Sequence, residues 1–221
     1  SRRVLVQAPT GAGKTHLFVV LTMAAIAAGL RVLILATRTR LVRQIHDRLE
    51  SFAVPHGILA AAMPGYTAWS RPVQIASVDT LYRRCLSNKR MPLPAADVVI
   101  FDEAHLALGA SRQAILDSYP AARIFGFTAT PALTSGANLR DQFDELVMGP
   151  AMGDLIASGM LVKPRIFAKP VMTARELRDV PKDSKTRDYA TGKLSGLMSR
   201  PKLVGDVVAN WLRIAPGKRT L

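Results

Sequence analysis

The chain alternates short, almost wholly apolar runs with longer segments of helical spacing. Arg3 to Ala8 (RVLVQA), Arg31 to Ala36 (RVLILA), Asp97 to Phe101 (DVVIF) and Arg123 to Phe127 (RIFGF) each predict a buried strand. Val73 to Ala76 predicts a shorter one. Lys14 to Ala28, ended by Gly29, and Leu41 to Phe52 carry helical spacing, and a further helix is expected from Thr80. Strands that are apolar on both faces and alternate with helices predict an α/β fold, a mostly parallel sheet with helices on both faces. Ligands bind such sheets at the carboxyl ends of the strands.

After Pro131 the pattern changes. Phe143 to Val147 and Val162 to Ala168 are expected to be strands, and Met152 to Ser158 a short helix. Asp179 to Arg187 is polar and charged, which predicts a surface loop. Leu203 to Ile214 has the spacing of an amphipathic helix, stopped by Pro216 and Gly217. Lys218 to Leu221 resembles the start of a strand. Leu17 to Leu30 is apolar but too short to cross a membrane, so a buried core helix is expected there. No signal peptide, internal repeat or low-complexity tract is visible. The start at Ser1, almost directly on a strand, gives the expectation of a fragment of a longer protein.

Two of the strands run into groups that carry chemistry. Ala8 to Thr15 (APTGAGKT) fits the Walker A pattern between a strand and a helix. Gly11 and Gly13 let the backbone curl around phosphate and aim its amides inward. The helix beginning near Lys14 points its positive end at the same charge. Pro9, Thr10, Gly11, Ala12, Gly13, Lys14 and Thr15 are therefore the expected phosphate-binding residues. Lys14 would bridge the β- and γ-phosphates of ATP, and Thr15 would offer its hydroxyl to magnesium. The competing explanation is a chance glycine-rich turn, which the strand-to-helix context disfavours.

Val98 to His105 (VVIFDEAH) delivers two carboxylates and a histidine at the end of an apolar strand. Asp102 is the expected magnesium ligand, and Glu103 the group that orients and deprotonates the attacking water. Glu103 and Lys14 are thus the candidate catalytic residues. His105 is read as a coupling residue that joins the ATP site to another strand rather than as a proton carrier.

With both motifs in hand, nearly the whole chain resembles the first RecA-like lobe of superfamily 2 helicases of DEAD/DEAH-box type. The likeness points to bacterial and phage proteins similar to restriction-enzyme motor subunits and RadD-like repair helicases. APTGAGKT then resembles motif I, DEAH motif II, and Thr128-Ala129-Thr130 motif III. The resemblance implies that Thr128 and Thr130 couple ATP turnover to nucleic-acid movement. Ala36 to Gln44 (ATRTRLVRQ) resembles motif Ia and Ile75 to Leu81 (IASVDTL) motif Ib, implying backbone contacts to one strand from Thr37, Arg38, Ser77 and Thr80. Small hydroxyls, arginine and helix N-termini are also what phosphates bind on general grounds. None of them reads base edges, so little sequence specificity is expected. Alternatively, Arg38, Arg40 and Arg43 form an ordinary solvated helix face.

The chain departs from the family pattern in three ways. The upstream glutamine motif that reads adenine is absent, and so is the second lobe with its arginine finger. Such a finger contributes about three to five orders of magnitude in rate, so this lobe alone is expected to hydrolyse ATP very poorly. The face that meets a second lobe is expected to be exposed. On this reading residues 1–170 form the ATP-binding lobe, 171–217 a linker segment and 218–221 the start of a second RecA-like lobe.

Composition agrees with a polyanion partner. Thirty basic against 16 acidic residues give a formal charge of +14 in 221 residues. The single cysteine, Cys85, excludes an internal disulfide or a cysteine zinc cluster and fits a cytoplasmic location. The leading function is an ATP-driven, magnesium-dependent helicase or translocase acting on DNA or RNA. Two alternatives stay open: an isolated nucleotide- and nucleic-acid-binding module, and a P-loop ATPase with no nucleic-acid role. No membrane partner is expected.

Overall fold

A computed structural model of the chain describes residues 2–106, 109–130, 139, 142–165, 178, 180–182, 189, 191–198 and 207–218. Its contacts divide the chain into two units, residues 1–133 with 137–163, and residues 134–136 with 164–221.

The first unit is built on a seven-stranded sheet. The strands are β1 (Arg3–Gln7), β2 (Val32–Ala36), β3 (His56–Leu59), β4 (Val73–Ser77), β5 (Val98–Asp102), β6 (Arg123–Thr128) and β7 (Glu145–Met148). Their order is β3-β4-β2-β5-β6-β1-β7, and every pairing is parallel. The helices are α1 (Lys14–Ala27), α2 (Thr39–Ser51), α3 (Val78–Leu81), α4 (Ala110–Asp117) and α5 (Met152–Ala157). The chain continues from α3 into a wider coil over Tyr82–Ser87, closed where the Asn88 N–H donates to Arg83 O at 2.9 Å. Such i to i+5 closures mark functional sites more often than chance.

Strand periodicity explains the two cores. Leu33, Leu35, Val99 and Phe101 project into one cluster with Leu81, Ile115, Leu116 and Phe143. Val32, Ile34, Val98 and Ile100, one residue out of step, project into the other with Phe18, Val42, Ile45 and Leu49 of α1 and α2. A one-residue alternation therefore fills both faces, and β2 and β5 are buried throughout.

Several sequence expectations meet the structure with differences. The β3 strand was not expected; its four residues are too few to show a period. Helix α1 is not a wholly buried core helix: Phe18, Val19, Thr22 and Ala25 face inward, while Leu17, Val20 and Met23 are exposed. The helix is apolar all round, so its composition conceals which face is outside. The strand expected at Val162 to Ala168 is not present over its described part, residues 162–165, and its remainder lies outside the described residues. Most of the Asp179 to Arg187 loop also lies outside them.

In the second unit the described elements are helices Thr191–Met198 and Val207–Ile214 and a single antiparallel bridge between Lys182 and Tyr189. The second helix occupies the later part of the expected Leu203 to Ile214 helix. Among the described residues no helix is long and apolar enough to cross a membrane.

Candidate functional site

The carboxyl ends of β1, β5 and β6 meet at one edge of the sheet. Gly11 and Gly13 adopt φ of 85° and 81° in the loop that leaves β1, a region favourable only to glycine. Gly13 caps α1, and the His16 N–H donates to its carbonyl at 2.8 Å. The Ala12 N–H donates to Pro9 O at 3.2 Å, closing the turn. The Lys14 ammonium donates to Ala8 O at 3.1 Å and Pro9 O at 3.3 Å, which holds its charge over the loop. The Leu161 side chain lies against the loop, so that a Cβ on Gly11 would come within 2.8 Å of Leu161 Cδ2.

Asp102 ends β5 and is 7% exposed. Its Oδ1 accepts the Glu103 N–H at 2.9 Å. Burial pushes the Asp102 carboxyl above its usual range, partly offset by that N–H. The Glu103 charge pushes it further up, while Lys14 and His105 pull it down. Glu103 itself stands at φ 56°, left-handed backbone that costs a residue with a Cβ about 1–2 kcal/mol. Strained backbone at a strand end is typical of a positioned functional group.

His105 joins this strand end to β6. Its Nδ1 lies 3.3 Å from Glu103 Oε2 and 3.2 Å from Thr128 Oγ1. The Thr128 hydroxyl, in a fully buried residue, donates to Thr130 O at 3.0 Å and accepts the Thr130 N–H at 3.1 Å. Its only proton is thus committed, and the Glu103 carboxylate can only accept. Nδ1 must therefore carry the hydrogen, fixing the ring's tautomer. The candidate coupling residues His105, Thr128 and Thr130 form one hydrogen-bonded chain, with the Glu103 carboxylate in ion-pair range of its His105 end.

A cavity of about 900 Å³ is lined by Thr10, Gly11, Gly13, Lys14, Thr15, Asp102 and Glu103. That is large enough for a nucleotide. Thr15 and Asp102 present hydroxyl and carboxylate oxygens to it, the hard donors magnesium requires. Pro9 and Ala12 shape the loop but do not line the cavity. On its other wall stand His16 and, from α2, Arg40, Arg43, Gln44 and Arg48. The Gln44 amide donates to Thr15 Oγ1 at 3.4 Å. The sequence offered Arg40 and Arg43 as motif Ia residues or as a solvated helix face; the structure places them in the lining of the cavity beside the phosphate loop. Gln44 and Arg48 were not anticipated, because only tertiary packing brings α2 beside α1; His16, next to Thr15 on α1 itself, was not singled out either.

Ser77 and Thr80 line a second cavity, of about 670 Å³, with Thr39, Asp79, Arg83, Arg84, Asn88 and Arg90. The Thr80 hydroxyl also accepts the Ala61 N–H at 3.1 Å. Thr37 and Arg38 sit in the turn between β2 and α2 and are not part of this cavity. The three arginines follow from the wide coil after α3 and had no sequence signal beyond their charge.

Residues 1–133 match the family described as Type III restriction enzyme, res subunit (ResIII). The chain belongs to this family. A ResIII domain is the N-terminal, helicase-type ATP-binding lobe of superfamily 2 proteins, and the all-parallel sheet described above is its RecA-like fold. The chain is 27% identical over 217 residues to a 51.5 kDa protein of Lactococcus phage (isolate 7-9), covering 98% of this chain and 42% of the phage protein. It therefore spans less than half the length of that relative. Its fold is similar to the helicase domain of Hef from Pyrococcus furiosus (TM-score 0.54, 23% identity, 67% of this chain and 34% of that one). It is also similar to LlaGI, a Type ISP restriction-modification enzyme solved with a DNA substrate mimic (TM-score 0.57, 13% identity, 72% and 19%). A hypothetical ATP-dependent RNA helicase from Sulfolobus tokodaii is similar as well (TM-score 0.52, 22% identity, 67% and 48%).

Proposed function

We propose that this ResIII lobe binds ATP with magnesium in the 900 Å³ cavity and drives movement along DNA or RNA together with a second lobe. One observation carries the reading: Lys14, Thr15, Asp102 and Glu103 share one cavity, and Glu103 is tied through His105 to Thr128 on another strand. Lys14 and the loop amides would hold the phosphates. Thr15 and Asp102 would hold magnesium, which supplies charge neutralisation on the phosphate oxygens when bound. Glu103 would orient the attacking water and take its proton. The arginine-lined cavity with Ser77 and Thr80 supports a contact to a phosphate backbone, without base readout.

A second reading, for the lobe alone, is a nucleotide- and nucleic-acid-binding module without appreciable catalysis, as expected if hydrolysis needs an arginine supplied by a second lobe. ATPase rates measured with and without single-stranded and duplex DNA, on this chain and on a two-lobe form of the protein, separate the readings. Stimulated hydrolysis by the two-lobe form, abolished by Glu103→Gln, supports the motor. Hydrolysis indifferent to nucleic acid removes the motor and leaves a P-loop ATPase.

A further inference from the structure

Away from the nucleotide cavity, a second group of metal-ligating side chains converges. His46 and Glu50 lie four residues apart on α2 and so share one helical face. His56 opens the edge strand β3, with its side chain 2% exposed. One ligand atom from each of the three lies within 4.8 Å of the others. His46 Nδ1 is 2.8 Å from His56 Nε2, and Glu50 Oε1 is 3.9 Å from the same nitrogen.

The proton positions follow from the partners. His56 Nδ1 lies 2.7 Å from Val54 O, which can only accept, so this nitrogen carries the hydrogen. The Nε2 lone pair of neutral His56 then points at His46 and Glu50. A backbone carbonyl behind a histidine is the usual outer partner that orients a metal ligand. Burial favours the neutral ring that a ligand must be, opposing the Val54 carbonyl, which favours the charged one.

We propose that His46, Glu50 and His56 form a divalent-metal site of zinc class that pins the last turns of α2 to the edge strand β3. Two imidazoles and one carboxylate suit zinc and its late-transition neighbours rather than magnesium or calcium. Binding needs two small changes. His46 moves its hydrogen from Nδ1 to Nε2, freeing the Nδ1 lone pair with no net proton lost. The two nitrogens then part by roughly half an ångström, to the roughly 3.3 Å that tetrahedral zinc with 2.0–2.1 Å bonds sets. A cavity of about 420 Å³ lined by Arg43, His46, Asp47 and Tyr66 opens beside His46 and gives a path for the ion and room for water as fourth ligand. The opposite side of α2 carries Gln44 and Arg48 into the nucleotide cavity, so the clip would fix the helix that forms its far wall.

The test uses the full 221-residue chain, stripped with a chelator and titrated with Zn²⁺ and, separately, Co²⁺. One ion per chain, a four-coordinate cobalt absorption spectrum and a zinc-raised Tm in the presence of excess magnesium are the expected results. His46→Gln and Glu50→Gln each weaken zinc binding by more than about tenfold, the loss seen even when an outer-shell partner is removed. Glu50 is exposed and His46 half-buried, so these variants disturb the fold less than His56→Ala would. Equal zinc binding by wild type and both variants overturns the proposal. Loss of zinc binding in His105→Ala instead also overturns it, because the ion would then sit at Asp102, Glu103 and His105. None of these readouts depends on ATP hydrolysis.

Discussion

The His105 ring donates from Nδ1 to the hydroxyl of Thr128, 3.2 Å away, and that hydroxyl in turn bonds both polar backbone groups of Thr130. A change at Glu103, 3.3 Å from the same nitrogen, therefore has a direct route to the end of β6. Thr128→Val keeps the shape and removes the relay. It removes the side-chain partner of the Thr130 N–H and carbonyl in a part-buried turn that water can reach, a loss of about 0.5–1.5 kcal/mol in stability. In the two-lobe protein, stimulation of the ATPase by nucleic acid should fall in Thr128→Val and in His105→Ala. If the relay is real, the double variant falls no further than the worse single one. Additive losses would mean that the two residues act separately.

Glu103 combines a functional carboxylate with left-handed backbone at φ 56°. Glu103→Gly relieves that backbone while removing the carboxylate. Hydrolysis should drop by about 10²–10⁴-fold, the usual worth of a general base. The Tm should not fall, because the relieved strain offsets glycine's greater freedom in the unfolded chain. Thermal melting beside ATPase assays checks both halves. A clear drop in Tm would mean that Glu103 is held for stability rather than function.

The phosphate loop and the acidic strand end were legible because their chemistry is local: Gly11, Gly13 and Lys14 lie within four residues, and Asp102 and Glu103 are adjacent. The strands β2 and β5 were legible because burial on both faces leaves no polar positions in their centres, and β1 and β6 because their centres are apolar although only partly buried. What escaped depends on distant partners. His56 has no local signal; it meets His46 only because β3 pairs with β4 beside α2. The inward turn of Gln44 and Arg48 is likewise set by the packing of α2 on α1. The exposed face of α1 was hidden because Leu17, Val20 and Met23 are as apolar as its buried Phe18 and Val19.

Gly126, in the middle of β6, is required by its neighbours. A Cβ there would lie 2.5 Å from Phe143 Cζ and 2.9 Å from Ala104 Cβ. Gly126→Ala should destabilise the fold by about 1–3 kcal/mol, the typical cost of overpacking a filled core. Denaturant midpoints report it. Phe143→Leu in the same background should recover part of the loss, whereas no recovery would place the strain elsewhere.

Asp144 ties the start of β1 to the segment leading into β7. Its Oδ2 accepts the Arg2 and Arg3 N–H groups at 2.8 and 3.0 Å. These backbone bonds, that from Arg3 foremost, hold its carboxyl below the usual carboxylate range. A depressed folded-state pKa stabilises the fold above the unfolded value, near about 4, and that contribution is lost as pH falls through the lower folded value. Asp144→Asn should therefore lower Tm at neutral pH, and the gap from wild type should narrow in acid. A gap independent of pH would show that the carboxylate's charge plays no part.

The two arginine groups make opposite claims about their ligands. Arg83, Arg84 and Arg90 line the cavity with Ser77 and Thr80, while Arg40, Arg43 and Arg48 line the one with Lys14 and Glu103. If the first set meets a nucleic-acid backbone, Arg83→Ala should weaken binding to every oligonucleotide sequence alike. It should also reduce the slope of log affinity against log salt by about one. Arg43→Ala should leave that slope unchanged and weaken ATP binding instead. Fluorescence anisotropy over a salt series, with labelled oligonucleotide and labelled ATP measured separately, resolves the two. A salt slope that falls equally in both variants would mean that the +14 charge attracts nucleic acid diffusely and that the cavity beside Ser77 has no special part in it.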